Sequence, residues 1–393
     1  MPGQIKKPKE GVPNGVMKGL EGVMIAESAI CKIDGSVGKL WYRGYPVEEL
    51  ASGSSFEEVS YLLLYGKLPG PEELEGFKRS LAAERRVPRG ITDIIAEEVG
   101  VAADPMHVLR TAVSALATYD NEAEDQSLEA NGRKCIRLIS KVSTVTAAIG
   151  REMDGKGHVE PDPSLGHVDN FMYMMHGNRM ERHKLDLVEK MFMLQAEHST
   201  NASTFSAMVT ASTLSDLYSS VTSGIATLKG PLHGEADEAA LRMLLEIGKP
   251  GNAEAYITKA LAKKEKIMGF GHRVYKAYDP RAKIMRKEVE GLRNAASEEV
   301  RELASTAMEV ERVMKEKIPP EKGIWPNIDF FAGPIYAYAG IPIELFTPIF
   351  ASSRVPGWCA HVMEYWASGN KLIRPSELYT GETGLHYRRI DER

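Results

Sequence analysis

Residues 55–66 read Ser-Phe-Glu-Glu-Val-Ser-Tyr-Leu-Leu-Leu-Tyr-Gly and carry the start, body and end signals of one α-helix. Ser55, followed three residues later by Glu58, forms a capping box, in which each side chain satisfies a backbone N–H of the first turn. Apolar side chains then recur at spacings of three and four, which places them on one helical face. Gly66 and Pro69 end the helix.

The same spacing recurs along most of the chain, and only residues 28–45 favour β structure. There, two short runs of β-prone residues flank the Gly-containing turn at residues 34–38. Strands and helices do not alternate, which disfavours a doubly wound parallel sheet. The sequence therefore predicts a mostly α-helical protein with a small β-hairpin near the N-terminus. The clearest helical runs are Leu109–Val113–Leu116, Leu187–Met191–Leu194, Ala236–Ala240–Met243–Leu244–Ile247 and Val300–Leu303–Ala307–Val310–Met314.

Composition limits the classes of protein that need be considered. At 393 residues the chain exceeds the usual single core, so we expect two domains, or one large domain with an inserted one. A net charge of −5 argues against a general nucleic-acid-binding protein, which needs a strongly basic face. Cys31, Cys135 and Cys359 form no CxxC pair, so neither a disulfide framework nor a zinc site is expected. This pattern fits the reducing cytoplasm.

Neither an export signal nor a membrane span is expected. Residues 1–15 are rich in Lys, Pro and Gly and lack the apolar run of a signal peptide. Residues 330–351 are apolar, but Pro334, Pro342 and Pro348 interrupt them. Buried core helices are therefore the better interpretation of that segment.

The first candidate catalytic group is His233, within Gly-Pro-Leu-His-Gly at residues 230–234. Gly230 and Pro231 end one helix, and Gly234 precedes the next. An imidazole at a helix N-terminus tends to stay neutral and to donate a hydrogen bond, because the helix dipole disfavours added positive charge there. Such a donor suits an enolate oxygen. The alternative is a capping or packing histidine.

The second candidate is His272, within Gly-Phe-Gly-His-Arg-Val-Tyr-Lys at residues 269–276. The Gly-x-Gly pair lacks the third glycine and the preceding strand of a dinucleotide-binding loop. A tight turn that presents an imidazole among the cations Arg273, Lys276 and Arg281 fits better, since such cations bind carboxylates or phosphates. The alternative is a solvated basic loop.

The third candidate is Asp329, within Trp-Pro-Asn-Ile-Asp-Phe-Phe at residues 325–331. Apolar neighbours desolvate a carboxylate, which raises its pKa and makes it a stronger base. The alternative is a cap at the start of a helix. Together, two imidazoles and a carboxylate can remove a proton from a carbon beside one carbonyl and polarise a second carbonyl. This favours carbon–carbon bond formation through an enol.

Two arginines and one more histidine complete the candidates. Arg374 directly precedes Pro375 and is expected in extended or turn backbone. Arg354 lies two residues before Pro356, where we expect a helix to end. Several arginine forks suit a di- or tricarboxylic acid, although either side chain could form an ordinary surface ion pair. His198 is expected at the end of a helix, where it could simply interact with the dipole.

With these motifs in order, the chain resembles the citrate synthase family in its shorter bacterial and archaeal form. The likeness runs from residues 18–23, through Tyr42-Arg-Gly-Tyr45, to Arg374-Pro375. It implies a helical homodimer whose active site lies in a cleft. A large domain would comprise residues 1–233 and 336–393, and a small domain, residues 234–335, would be inserted in sequence.

The resemblance also implies roles for the matching residues. Asp329 would remove a methyl proton from acetyl-CoA, His233 would hydrogen-bond the thioester oxygen, and His272 would protonate the carbonyl of oxaloacetate. No metal and no tightly bound cofactor are implied, and coenzyme A enters only as part of the substrate. The implied substrate ligands are His198, Arg281 and Arg354, with Arg374 lent by the second subunit and Lys276 near the coenzyme A phosphates.

The chain departs from the family pattern after Gly234. It has Glu235-Ala-Asp237, where the family commonly has a small or neutral residue, then Ala, then Asn. An acidic Asp237 facing His233 would favour the protonated imidazole. Two other functions stay open, namely 2-methylcitrate synthase using propionyl-CoA and a non-catalytic homologue that binds coenzyme A or a dicarboxylate. A metal-dependent hydrolase would need a motif such as His-x-x-x-His, which is missing.

Overall fold

The computed structural model describes residues 16–20, 22–295 and 297–393. The N-terminal segment 1–15 and Glu21, within the 18–23 stretch, lie outside these residues.

Helices dominate the part of the chain that the structure describes, as the sequence predicts. The sixteen α-helices found there are α1 Val47–Gly53, α2 Phe56–Tyr65, α3 Pro71–Ala83, α4 Arg89–Gly100, α5 Pro105–Leu116, α6 Leu128–Met153, α7 His167–His176, α8 Arg182–Gln195, α9 Ala202–Ser212, α10 Leu217–Leu228, α11 Ala236–Ile247, α12 Ala253–Ala262, α13 Pro280–Leu292, α14 Glu298–Lys317, α15 Ile328–Tyr338 and α16 Phe346–Ala367.

The β structure is one small antiparallel sheet near the N-terminus. Its strands are β1 Cys31–Asp34, β2 Lys39–Tyr42 and β3 Tyr45–Pro46, in the order β1-β2-β3. Strands β1 and β2 pair antiparallel around the predicted turn, with Cys31 opposite Tyr42 and Asp34 opposite Lys39. The hairpin is confirmed, and the two-residue strand β3 extends it to three strands.

Helix α2 has the ends that its sequence predicts. The Glu58 amide donates to the Ser55 hydroxyl (3.3 Å), and the Ser55 amide donates to the Glu58 carboxylate (3.0 Å). Gly66 closes the helix with φ of 76°, in the left-handed region where a side chain would be strained.

The prediction that a helix ends near Arg354 is wrong. Arg354 and Pro356 both lie inside α16, which continues to Ala367. Proline lacks an N–H, so the Ser352 carbonyl loses its partner four residues on, at a cost of about 3 kcal/mol in a helix interior. Residues 345–362, from the N-cap of α16 onward, are all buried. Packing against the neighbouring helices therefore keeps α16 helical on both sides of Pro356.

Residues 330–351 comprise most of α15, a short connection, a 3-10 turn at Ile343–Leu345 and the start of α16. Most of them are buried, as predicted. Among the described helices, none combines the length and the apolar character needed to cross a membrane.

Helices α11 to α15 pack mainly on one another, while α16 packs against α6, α9 and α10. Glycine at position 333 allows α15 to approach α11 closely, since a Cβ there would lie 2.9 Å from that of Leu241. The division into residues 1–233 with 336–393 and residues 234–335 stays a prediction, and α15 continues across residue 335.

Candidate active site

Three rings from two separate parts of the chain form the centre of the site. The ring centroids of His198 and His272 lie 5.1 Å apart, and Tyr275 lies 5.5 Å from the first and 4.8 Å from the second. The Tyr275 hydroxyl lies 3.2 Å from His198 Nε2. His198 follows α8 by three residues and is buried. Burial, followed by the charge of Arg281, holds its pKa well below the usual range.

The loop after His272 fixes the tautomer of that ring. The backbone amides of Val274 and Tyr275 lie 3.0 Å and 3.2 Å from His272 Nδ1. An amide N–H can only donate, so Nδ1 accepts, and a neutral ring carries its proton on Nε2. Burial and then Arg281 lower the pKa of His272 to about 4. The ring is therefore a neutral donor through Nε2 near pH 7.

His233 is also held as a neutral imidazole. It precedes α11, as the sequence predicts, and its ring in addition faces the first turn of α9. His233 lies two residues before Glu235, the N-cap of α11, and its Nε2 faces the Ser203 hydroxyl at 2.8 Å and the Ser203 amide at 3.4 Å. Trp358 Nε1 donates to the same hydroxyl. Since Nε2 faces an amide donor, the ring proton lies on Nδ1. Burial, then Arg354, lowers the pKa of His233 to about 4.

Asp237, the departure from the family pattern, does not contact His233. Its Oδ1 accepts from the Glu238 amide (2.9 Å), and its buried Oδ2 has no hydrogen-bond partner among the described residues. Burial raises the pKa of Asp237 well above the usual range, and the carboxylates of Asp329 and Glu238 raise it further. Burial thus disfavours the charged carboxylate, and no hydrogen bond joins Asp237 to His233, so the structure gives no sign that Asp237 favours a protonated His233.

Asp329 lies in the first turn of α15, and Asn327 is the residue that caps this helix. The Asn327 side chain accepts from the Asp329 amide at 3.1 Å, so the Asp329 carboxyl is not used as a cap. Burial raises the pKa of Asp329 to about 6, although the charges of Arg281 and Arg354 act against this rise. A carboxylate with such a pKa is a better base than an exposed one and is still ionised at pH 7.

Two buried guanidinium groups supply the positive charge of the site. Arg281 is paired by Asp279 through Nε (3.1 Å) and Nη2 (2.8 Å). Burial is the largest single effect and opposes its charge, but Asp279 together with Tyr275 and Tyr42 raises the pKa of Arg281 overall. Burial lowers the pKa of Arg354 to about 10, so it too is charged at pH 7. Its Nε donates to the Gln195 carbonyl, and its terminal nitrogens have no acceptor within the described chain.

The charges of the two arginines act on all four of the candidate imidazole and carboxyl groups. The charge of Arg354 acts on the pKa of His198, His233 and Asp329, and that of Arg281 acts on His198, His272 and Asp329. The arrangement offers two neutral N–H donors, one base and two cations. These are the groups that enolisation and the binding of an anionic acceptor require.

Two predicted ligands have no described side-chain contact with this centre. Lys276 is exposed, and its charge acts only weakly on His272. Arg374 is exposed in the segment that follows α16, and no described contact of this single chain joins it to the site. No group of three or more His, Cys, Asp or Glu residues in the described part of the chain is arranged to hold a metal ion.

Sequence reasoning missed Tyr275, Asp279 and Ser203. Tyr275 stands within the motif that contains His272, but nothing local indicates which side of the turn it faces. Asp279 followed by Pro280 is a recognisable helix start, and its side chain does accept from the Arg281 amide (2.9 Å). Ser203 gave no local signal, because its contact with His233 joins positions 30 residues apart.

Comparison with known proteins identifies the family. The model described as "Citrate synthase, C-terminal domain" matches residues 19–376. The chain belongs to the citrate synthase family. It is accordingly an enzyme of the acyltransferase kind to which citrate synthases belong.

Citrate synthase of Haloferax volcanii is 45% identical over 380 residues, which cover 96% of this chain and 98% of that protein. A 2-methylcitrate synthase of Mycobacterium tuberculosis is 41% identical over 366 residues, covering 93% of this chain and 91% of that protein. The solved ternary complex of Thermoplasma acidophilum citrate synthase with carboxymethyl coenzyme A and oxaloacetate has a TM-score of 0.91 and 35% identity. It covers 96% of this chain and 100% of the solved one.

Proposed function

We propose that this chain condenses acetyl-CoA with oxaloacetate and then hydrolyses citryl-CoA to citrate and coenzyme A. The observation that carries the proposal is the combination of a base whose pKa is raised with two imidazoles held neutral by burial. The family relative solved with oxaloacetate and a coenzyme A analogue supports the choice of substrates.

In the first step, the Asp329 carboxylate removes a proton from the methyl group of acetyl-CoA. The electron pair of the broken C–H bond moves toward the thioester, whose oxygen becomes enolic. Nδ1–H of His233 donates to that oxygen, because Nε2 is already occupied by Ser203. A donor aimed at developing charge contributes about 3–4 kcal/mol to the transition state.

In the second step, the enol carbon attacks the keto carbon of oxaloacetate. Nε2–H of His272 supplies the proton that the keto oxygen needs as the new bond forms. His198, Arg281 and Arg354 hold the carboxylates of oxaloacetate, and fixing two substrates in register contributes roughly 7–11 kcal/mol. Water then hydrolyses the thioester of citryl-CoA: one of its protons restores His272, its oxygen joins the acyl carbon, and the thiolate leaves as the thiol with the proton that Asp329 had taken.

We propose that the chain works as a cytoplasmic homodimer in which Arg374 is lent to the partner's site and Lys276 contacts a coenzyme A phosphate. The inserted small domain, residues 234–335, would close over the substrates. The segment after α16 supports an exchange of this kind, because it is extended and exposes large apolar side chains that a second copy could cover. These side chains are Leu372, Leu378, Tyr379, Leu385, Tyr387 and Ile390.

The test is thiol release from acetyl-CoA with and without oxaloacetate. We expect release that depends on oxaloacetate and a kcat/KM for acetyl-CoA above that for propionyl-CoA. The relative that is a 2-methylcitrate synthase makes propionyl-CoA the second candidate. A preference for propionyl-CoA would overturn the first choice. Binding of oxaloacetate without any thiol release from either thioester would instead identify a non-catalytic homologue.

The pKa values predict a pH profile. Asp329 must be ionised to act as the base, so the condensation rate is expected to fall about tenfold per pH unit below about pH 6. His233 and His272, with pKa values of about 4, stay neutral over this range and should add no second limb. The measurement is kcat/KM for acetyl-CoA at saturating oxaloacetate, with folding monitored at each pH. A limb centred near pH 4 would contradict the raised pKa of Asp329.

A further inference from the structure

Four consecutive backbone amides after His272 are divided between two acceptors. The first two, from Val274 and Tyr275, point at the imidazole and fix its tautomer. The next two, from Lys276 and Ala277, donate to the Gly35 carbonyl at 2.9 Å and 3.2 Å. The β1–β2 turn is therefore the neighbour that holds the backbone on the far side of the histidine.

The two glycines of this turn permit a backbone-to-backbone approach. A Cβ at Gly35 would lie 2.2 Å from the Val274 carbonyl oxygen, and one at Gly38 would lie 2.3 Å from that of Tyr278. Separations below 3 Å require something to shift, and here the obstacle is backbone rather than a flexible side chain. Gly38 also has φ of 67°, where other residues are strained.

The other end of the same hairpin reaches the backbone beside His198. Tyr42, the last residue of β2, is buried, and its hydroxyl lies 2.8 Å from the Glu197 carbonyl and 3.1 Å from the Leu194 carbonyl. The short strand β2 thus connects the segment that contains His198 to the loop that contains His272.

The opposite flank of the His272 loop is tied to the segment that leads to Asp329. The Gly271 amide donates to the Trp325 carbonyl (2.8 Å), and the Asn327 amide donates to the Gly269 carbonyl (2.9 Å). The loop is therefore held on both sides, by the start of α15 and by the hairpin turn.

We propose that the Asp34–Gly38 turn positions His272, with the Gly35 carbonyl as the group that anchors the loop. This deepens the proposed function and rests on it, since it assigns the hairpin a part in orienting the proton donor to the keto acid. The turn does not touch the substrate. It acts through the amides of Lys276 and Ala277, which it binds. These hold the loop so that the two preceding amides stay directed at Nδ1 of His272.

The test compares two matched pairs of glycine variants. Gly35→Ala introduces the clash, whereas Gly53→Ala adds a methyl group at a glycine, also without positive φ, that has nothing within 4 Å. Gly38→Ala is matched in the same way by Gly44→Ala, because both positions have positive φ and only the first meets another part of the chain. If Gly35→Ala fails to fold, the comparison of Gly38→Ala with Gly44→Ala still tests the proposal.

Two readouts are needed. Hydrogen exchange of the amides at residues 274–277, followed by mass spectrometry, is expected to speed up at least roughly tenfold in Gly35→Ala and in Gly38→Ala. Steady-state kinetics is expected to give a kcat lower by about a hundredfold, the scale of a misplacement near 1 Å, with KM for acetyl-CoA changed less than threefold. The controls Gly53→Ala and Gly44→Ala should change neither quantity.

Unchanged exchange in both clashing variants, or equal losses of kcat in the controls, would overturn the positioning role. The exchange experiment needs no turnover. If the clashing variants exchange faster but the unmodified chain releases no thiol, the contact between the turn and the loop stands and the proposed function is refuted.

Discussion

Replacing Asp329 with asparagine is expected to lower kcat for condensation by roughly 10²–10⁴-fold, the usual contribution of a positioned general base. The amide is nearly the same size and fills the same place in the first turn of α15, but it cannot accept the methyl proton. The dissociation constant for oxaloacetate, measured by calorimetry, should change little. The N-cap of the helix is Asn327, so folding does not depend on the lost carboxylate.

The matched control is Asp169→Asn. Asp169 also lies in the first turn of a helix, α7, outside the site, so this variant reports the effect of removing such a charge alone. We expect it to retain full activity. If Asp329→Asn kept a kcat within about threefold of the unmodified chain, Asp329 could not be the base.

Replacing His233 with alanine is expected to lower kcat by about 10²–10³-fold, as removal of one oxyanion donor does. The imidazole offers Nδ1–H because Ser203 occupies Nε2, and alanine leaves no donor there. Binding of oxaloacetate should survive, since His198, Arg281 and Arg354 are untouched. Thiol release and calorimetry, carried out on the same preparation, separate the two effects.

His176→Ala is the control for that variant. His176 is a partly buried histidine at the end of α7, and burial lowers its pKa also, but it lies outside the site. Equal activity losses in the two variants would mean that His233 acts through stability. A preserved kcat in His233→Ala would remove it from the chemistry.

Local sequence signals predicted the fold class well, because caps and apolar periodicity act over a few residues. Helix α2 begins and ends where its capping box and glycine indicate. The prediction failed at Arg354, since a proline ends a helix only where packing does not hold the helix together. Pro356 lies in a buried helix, and tertiary contacts override the local rule.

The candidate site was predictable only as a set of residue types. The motifs identified His233, His272 and Asp329, but the partners that define their protonation come from distant segments. Ser203 faces His233 from helix α9, and Gly35 holds the His272 loop from a hairpin more than two hundred positions earlier. Local patterns carry no information about such pairings.

The buried carboxyl of Asp237, whose Oδ2 has no hydrogen-bond partner among the described residues, has a consequence for the stability of the native state. Its pKa is raised by folding, so above about pH 4 the unfolded chain releases a proton that the native chain retains. The native state therefore loses stability as the pH rises from the unfolded pKa toward the folded one. Asparagine, a neutral amide of nearly the same size, would avoid this loss. An engineer seeking a hardier catalyst would begin there.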